Sequence, residues 1–189
     1  YSSILMDDSA DSYSYLQASN CRLTAFNLIK NQLTTAGTGN DTDLWLMFDI
    51  EAIDTMLEYQ LTKEERADFL TLFNQVSVEG TKTIEEHEEK IQEAWNERDI
   101  QISGDKLSLI SVYLHAPEDQ ARFVGHTGVL AETKEGLLFV EKYSALAPFQ
   151  ATYFKDRAEL KDYLLARPDL YGGETELDPI VMENGTVMK

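Results

Sequence analysis

The only cysteine of the chain sits in Asn20-Cys21-Arg22, at the head of a run in which Leu23, Phe26 and Ile29 recur at helical spacing. Ser19 or Asn20 can serve as N-cap, so Cys21 is expected in the first turn of a helix that faces the core. There the unpaired N–H groups and the positive end of the helix dipole favour thiolate over thiol, and Arg22 adds a cation. The plainer role for a lone cysteine is that of a small buried hydrophobe. Chemistry becomes the stronger expectation because of a second stretch. Phe123 to Glu132, a turn at Thr133-Lys134-Glu135-Gly136, and Leu137 to Tyr143 read as a β-hairpin. His126 opens the first strand and Glu141 lies late in the second. Their midpoint falls inside the turn, which makes them cross-strand neighbours on one face. A cysteine at a helix start, a histidine on a strand and a carboxylate on the next strand form a nucleophile, base and orienter set. His115, ahead of the Ala116-Pro117 turn, ranks second as a base because no acidic strand partner lies across a hairpin from it.

Asn20-Cys21-Arg22-Leu23-Thr24-Ala25-Phe26 resembles the Asp-Cys-Ser-Gly-Leu-Val helix start of NlpC-type cysteine peptidases. Gly125-His126-Thr127-Gly128-Val129-Leu130 resembles their His-Val-Gly-Ile-Tyr strand, and Glu141 falls near their third polar residue. The departures are Arg22-Leu23 in place of Ser-Gly, and a glutamate where that family usually carries His, Asn or Gln. In its Asn-Cys-Arg and Met-Phe-Asp motifs the chain resembles more closely a family of uncharacterised bacterial extracytoplasmic proteins, domain-of-unknown-function family 4300. The resemblance implies an α+β fold with a papain-like (NlpC-type) core, an antiparallel sheet and a helical insertion at about 40–100, all in one domain over 1–189. It also implies an extracytoplasmic location, secreted or lipid-anchored at the bacterial surface. Papain-like enzymes use a glutamine upstream of the nucleophile as an oxyanion donor, and NlpC-type enzymes place a tyrosine there. Tyr13, Tyr15 and Gln17 are therefore candidates for oxyanion or substrate contacts, with Arg22 beside the nucleophile; each is equally an ordinary surface residue.

The balance of charges excludes some partners. With 16 basic and 34 acidic residues the net charge is −18, which repels phosphate backbones and argues against nucleic acid. No run approaches the length of a membrane-spanning helix. The chain opens with Tyr1 rather than Met, as after removal of a secretory or lipoprotein leader or in a trimmed sequence. A P-loop, a dinucleotide fingerprint, a His-Glu-x-x-His helix and paired Cys-x-x-Cys are absent, so no cofactor is expected.

The elements that must position the site follow in order. Residues 1–18 read as an acidic, irregular arm. The cysteine helix is expected from Cys21 to about Thr34, and an apolar segment from Asp43 leads into a helix through Tyr59. The acids Asp41, Asp43, Asp49, Glu51 and Asp54 lack a calcium-loop pattern and read as solvated charge. Capping boxes at Thr62 and Thr83 open helices to about Val76 and Glu97. His87, on the buried stripe of the second, reads as a satisfied interfacial histidine rather than a metal ligand. Residues 106–114, 122–132 and 137–143 are expected as strands, after which residues 143–149 leave the sheet. A helix spans Asp156 to Arg167, stopped by Pro168, and Asn184-Gly185 marks a hairpin. The reading that results is a thiol hydrolase of the peptidase or amidase type acting on a peptide or cell-wall-derived substrate. Two alternatives stand beside it: a non-catalytic extracytoplasmic binding protein, and, more weakly, a thiol acyltransferase.

Overall fold

The computed structural model describes residues 19–145 and 147–189. Within them, five α-helices and nine strands form a mixed α+β arrangement with antiparallel sheets. Helix α1 (Cys21–Ile29) opens the described chain, and β1 (Leu33–Thr34) follows. Then come α2 (Met47–Thr55), α3 (Lys63–Phe73), β2 (Val76–Ser77), α4 (Ile84–Glu97) and β3 (Gln101–Ile102). The central strands are β4 (Leu107–Ala116), β5 (Ala121–Glu132), β6 (Leu137–Lys142) and β7 (Phe149–Phe154). Helix α5 (Arg157–Leu165) and the hairpin of β8 (Ile180–Glu183) and β9 (Thr186–Val187) complete the order. Seven strands make one antiparallel sheet in the order β7-β6-β5-β4-β8-β9, with β2 joining β5.

The sheet is apolar on both faces. On one face Leu109, Tyr113, Val124 and Val129 meet Phe26, Phe69, Phe73, Ile91 and Trp95 from the helical block. The rings of Phe26 and Phe69 meet edge-on at 5.3 Å, and Trp95 Nε1 donates to the Tyr113 hydroxyl at 3.0 Å, so neither aromatic polar group is stranded. On the other face Ile110, Val112, Leu130, Phe139 and Val181 meet Leu160 and Leu164 of α5. Truncating a fully buried ring such as Phe26 to alanine costs about 3–5 kcal/mol.

Several boundaries differ from expectation, each for a local reason. Helix α1 stops at Ile29, because Leu33 and Thr34 pair with Ile102 and Gln101 instead of extending the helix. After Thr55, Met56 is extended and a 3-10 turn at Leu57–Tyr59 follows. Helix α3 ends at Phe73 so that Val76 and Ser77 can pair with Arg122 and Ala121. The capping boxes at Thr62 and Thr83 both form. Of the stretch expected to leave the sheet, Phe149 does not: it opens β7, paired along β6 from Lys142↔Phe149 to Leu137↔Phe154. At Asn184-Gly185 both residues have positive φ, 47° and 74°, in the two-residue turn that joins β8 to β9.

Candidate active site

Asn20 starts α1. Its side chain accepts from the Leu23 N–H at 2.9 Å and its carbonyl from the Thr24 N–H at 3.1 Å, leaving Cys21 as the first residue of the helix. The Cys21 N–H, at the first helical position, has no intrahelical partner.

Two residues flanking the cysteine are tied to one carboxylate. Asn20 Nδ2 donates to Asp49 at 2.7 Å, and Arg22 grips Asp49 through Nε at 3.1 and 3.2 Å and Nη2 at 2.6 Å. Arg22 also donates to the carbonyls of Val124 at 2.7 Å and Trp45 at 3.1 Å. Asp49 is fully buried, contrary to its reading as solvated charge, and Arg22 is the counter-charge that a buried carboxylate needs. Asp43 is likewise buried, accepting from Trp45 N, Asn74 Nδ2 and Gln75 N. Arg22 is thus a clamp on the helix start rather than a free oxyanion or substrate contact. Its cation favours the Cys21 thiolate, while Asp49 opposes it.

Strand β5 leaves a gap for the thiol. One edge pairs along β4; the other pairs with β2 at residues 121–122 and with β6 at 128–132, so residues 123–127 are unpaired on that edge. The register against β4 jumps from Val112↔His126 to Tyr113↔Val124, which makes Gly125 a bulge. The start of α1 fills the gap: Arg22 takes the Val124 carbonyl, and Cys21 Sγ lies 4.0 Å from the Gly125 carbonyl, long even for sulfur. Cys21 keeps some contact with solvent although protein atoms crowd it.

His126 lies well inside β5 rather than at its start, facing the α5 side together with Val112, its partner on β4. Glu141 pairs with Gly128, so it meets His126 diagonally, two positions along the same face, rather than directly across. An added Cβ at Gly128 would come within 2.4 Å of the Phe139 ring, so only glycine fits between them. The His126 Nε2–H donates to Glu141 Oε2 at 2.5 Å, which leaves Nδ1 as the ring nitrogen free to serve the thiol.

Two further residues complete the site. Tyr163 of α5 donates to Glu141 Oε1 at 2.6 Å. Arg167, just beyond α5, donates to Glu141 Oε2 at 3.3 Å; its Nη1 is 3.1 Å from His126 Nε2, but two donors cannot bond each other, so the carboxylate is its acceptor. Arg167 also pairs with Asp169 at 2.6 Å and stacks over the Tyr143 ring at 3.8 Å. The sequence singles out neither Tyr163 nor Arg167, placing both only within a helix ahead of Pro168. Arg-Pro at the stop of α5 was the available signal.

The electrostatics run as an alternating series of Cys21, His126, Glu141, Arg167 and Asp169. Burial pushes the Cys21 thiol up, but the neighbouring His126 outweighs it, and the thiol ends below its ordinary value. Burial likewise disfavours imidazolium, and Cys21 and the hydrogen bond to Glu141 reverse it, leaving His126 raised although Arg167 opposes. Glu141 is held below the usual carboxylate range despite its burial, by His126, Tyr163 and Arg167.

His115 is not at this site. It is the penultimate residue of β4, one residue ahead of the turn as expected; its Nδ1 accepts from Leu177 N at 3.0 Å and its ring meets His87 edge-on at 4.9 Å. Tyr13, Tyr15 and Gln17 lie outside the described residues. Among the described residues no cluster of three or more His, Cys, Asp or Glu side chains could hold a metal ion, and no helix is long and apolar enough to cross a membrane.

No curated protein and no solved structure matches the chain. The family model described as "Domain of unknown function (DUF4300)" matches residues 2–188. Asn20 and Arg22 on one side and Asp49 on the other, where the Asn-Cys-Arg and Met-Phe-Asp motifs touch, belong to the matched span. That match covers nearly the whole sequence, and the chain belongs to this family.

Proposed function

We propose that the protein is a cysteine hydrolase of the peptidase or amidase type, with Cys21 as nucleophile, His126 as acid and base, and Glu141 as orienter. The observation that carries it is the His126–Glu141 contact at 2.5 Å, which leaves the other ring nitrogen for a thiol at a helix start. The Cys21 thiolate attacks a substrate carbonyl carbon, and the Cys21 N–H donates to the oxyanion. The tetrahedral intermediate collapses as His126 gives its proton to the leaving amine, which departs and leaves a thioester. Water then attacks the thioester while His126 takes its proton, the acid is released, and the thiolate–imidazolium pair is restored. Glu141 keeps the imidazole in one tautomer throughout and stabilises its charged form.

The order of cysteine helix, histidine strand and acidic strand supports a papain-like core in a single domain, with the helices between residues 40 and 100 as an insertion. The resemblance to NlpC-type enzymes supports an amide of a cell-wall peptide as substrate and an extracytoplasmic location. One observation favours the non-catalytic binding reading: a neutral thiol can donate to the Gly125 carbonyl, and a thiolate cannot. The test is amine release from cell-wall peptide fragments by the wild-type protein and by Cys21→Ala. Release that depends on Cys21 supports the hydrolase. Release that survives Cys21→Ala removes the nucleophile, and none from a folded wild-type protein favours binding.

A further inference from the structure

A second polar cluster lies at the β4–β5 turn, on the face covered by the helical block. Arg122, fully buried, pairs across the strands with His115. Its Nε donates to His87 Nδ1 at 2.9 Å, and its Nη1 donates to the carbonyls of Asp178 at 3.0 Å, Tyr113 at 3.3 Å and Leu177 at 3.5 Å. Its Nη2 is buried with no partner, and no carboxylate forms an ion pair with Arg122 among the described residues. The buried guanidinium therefore has no carboxylate in contact, an arrangement that costs free energy unless something negative joins it.

The two histidines are held in one orientation of their protons. His87 Nδ1 accepts from Arg122 and His115 Nδ1 accepts from the Leu177 N–H, so each neutral ring carries its proton on Nε2. Neither Nε2–H has an acceptor among the described residues. Both rings border a cavity of about 340 Å³, together with Thr81, Lys82, Gln120 and Thr175. Two histidines and Lys82 thus line the cavity, with Arg122 bonded to His87 behind that lining; the acids that Arg122 senses, Asp178 and Glu176, form no ion pair with it, and Glu176 bonds the Gly173 N–H at 3.1 Å.

We propose that the cavity bounded by His87, His115 and Lys82, backed by the unpaired guanidinium of Arg122, binds a small oxyanion group, a phosphate or a carboxylate, at a site separate from Cys21. Burial, Arg122 and His115 hold His87 down to about 4, which keeps it a neutral donor; Glu86 is the acid opposing that shift. A bound anion would oppose it far more strongly.

The chain has 3 histidines, so each ring proton can be followed by NMR and assigned with His87→Gln and His115→Gln. The wild-type protein is titrated with sodium phosphate, with sodium acetate, and with sodium chloride at matched ionic strength. The expected result is a saturable shift of the His87 and His115 signals in the millimolar range, with His87 titrating about a unit higher and His126 unmoved. Saturation by phosphate assigns a phosphate group and by acetate a carboxylate. Shifts that chloride reproduces, or none at tens of millimolar of either anion, overturn the proposal.

Discussion

Replacing Glu141 with glutamine removes one charge from the middle of the Cys21–His126–Glu141–Arg167 series with little change of shape. The carboxylate is about 1% exposed and accepts from His126 at 2.5 Å, Tyr163 at 2.6 Å and Arg167 at 3.3 Å. An amide offers one acceptor oxygen and brings a donor that at least one of these three must face. A hydrogen bond to a charged group contributes about 1.5–3 kcal/mol. If the imidazolium loses that much, the apparent thiol pKa of Cys21 rises by about one to two units at 1.36 kcal/mol per unit. Arg167 acts in the same direction, because its cation then faces the imidazolium without a carboxylate between them. The assay is the ultraviolet absorbance of the single thiolate as a function of pH, with a denaturation curve to confirm folding. Glu135→Gln is the control, being exposed and away from His126; Glu132 is unsuitable because it pairs with Arg157 at 2.9 Å. An unchanged thiol pKa in a folded Glu141→Gln protein, or an equal rise in Glu135→Gln, refutes the orienting role.

Three other outcomes follow from the structure. Asp49→Ala leaves the half-buried Arg22 without its counter-ion and should lower unfolding free energy by about 3 kcal/mol in urea denaturation. Gly128→Ala brings a Cβ to 2.4 Å from the Phe139 ring, and should cost about 1–3 kcal/mol and slow Cys21 alkylation by shifting Glu141. His87, at about 4 in the folded protein against 6.5 unpaired, takes up its proton first in the unfolded chain. Stability is therefore complete above pH 6.5 and declines as pH falls toward 4, by up to about 3 kcal/mol, and His87→Gln should flatten that part of a stability–pH curve.

The cysteine helix was legible because its signals are local: Asn20 as a cap, and Leu23, Phe26 and Ile29 at helical spacing. The hairpin was legible for the same reason, although the pairing centre lies one residue past the midpoint of His126 and Glu141. That slip left both on one face, because a diagonal neighbour shares the face of a direct one. Strand β7 was missed because it is an edge strand with an inverted pattern, Phe149 and Tyr153 exposed and only Phe154 buried. Asp49, Tyr163 and Arg167 were missed for a different reason. Each reaches the site from an element remote in sequence, and nothing local distinguishes a carboxylate clamped by Arg22 from one solvated at the surface. The proline after Arg167 marked the end of α5 but not what that end would touch.

The most direct test of the central claim is the rate of Cys21 alkylation by iodoacetamide across pH in the folded protein. A thiolate paired with His126 predicts reactivity that begins well below the ordinary cysteine pKa of about 8.5, with an inflection that moves when His126 is replaced by glutamine. A rate that rises only through the ordinary thiol range, or a cysteine that stays inert until the chain unfolds, contradicts the assignment of Cys21 as nucleophile.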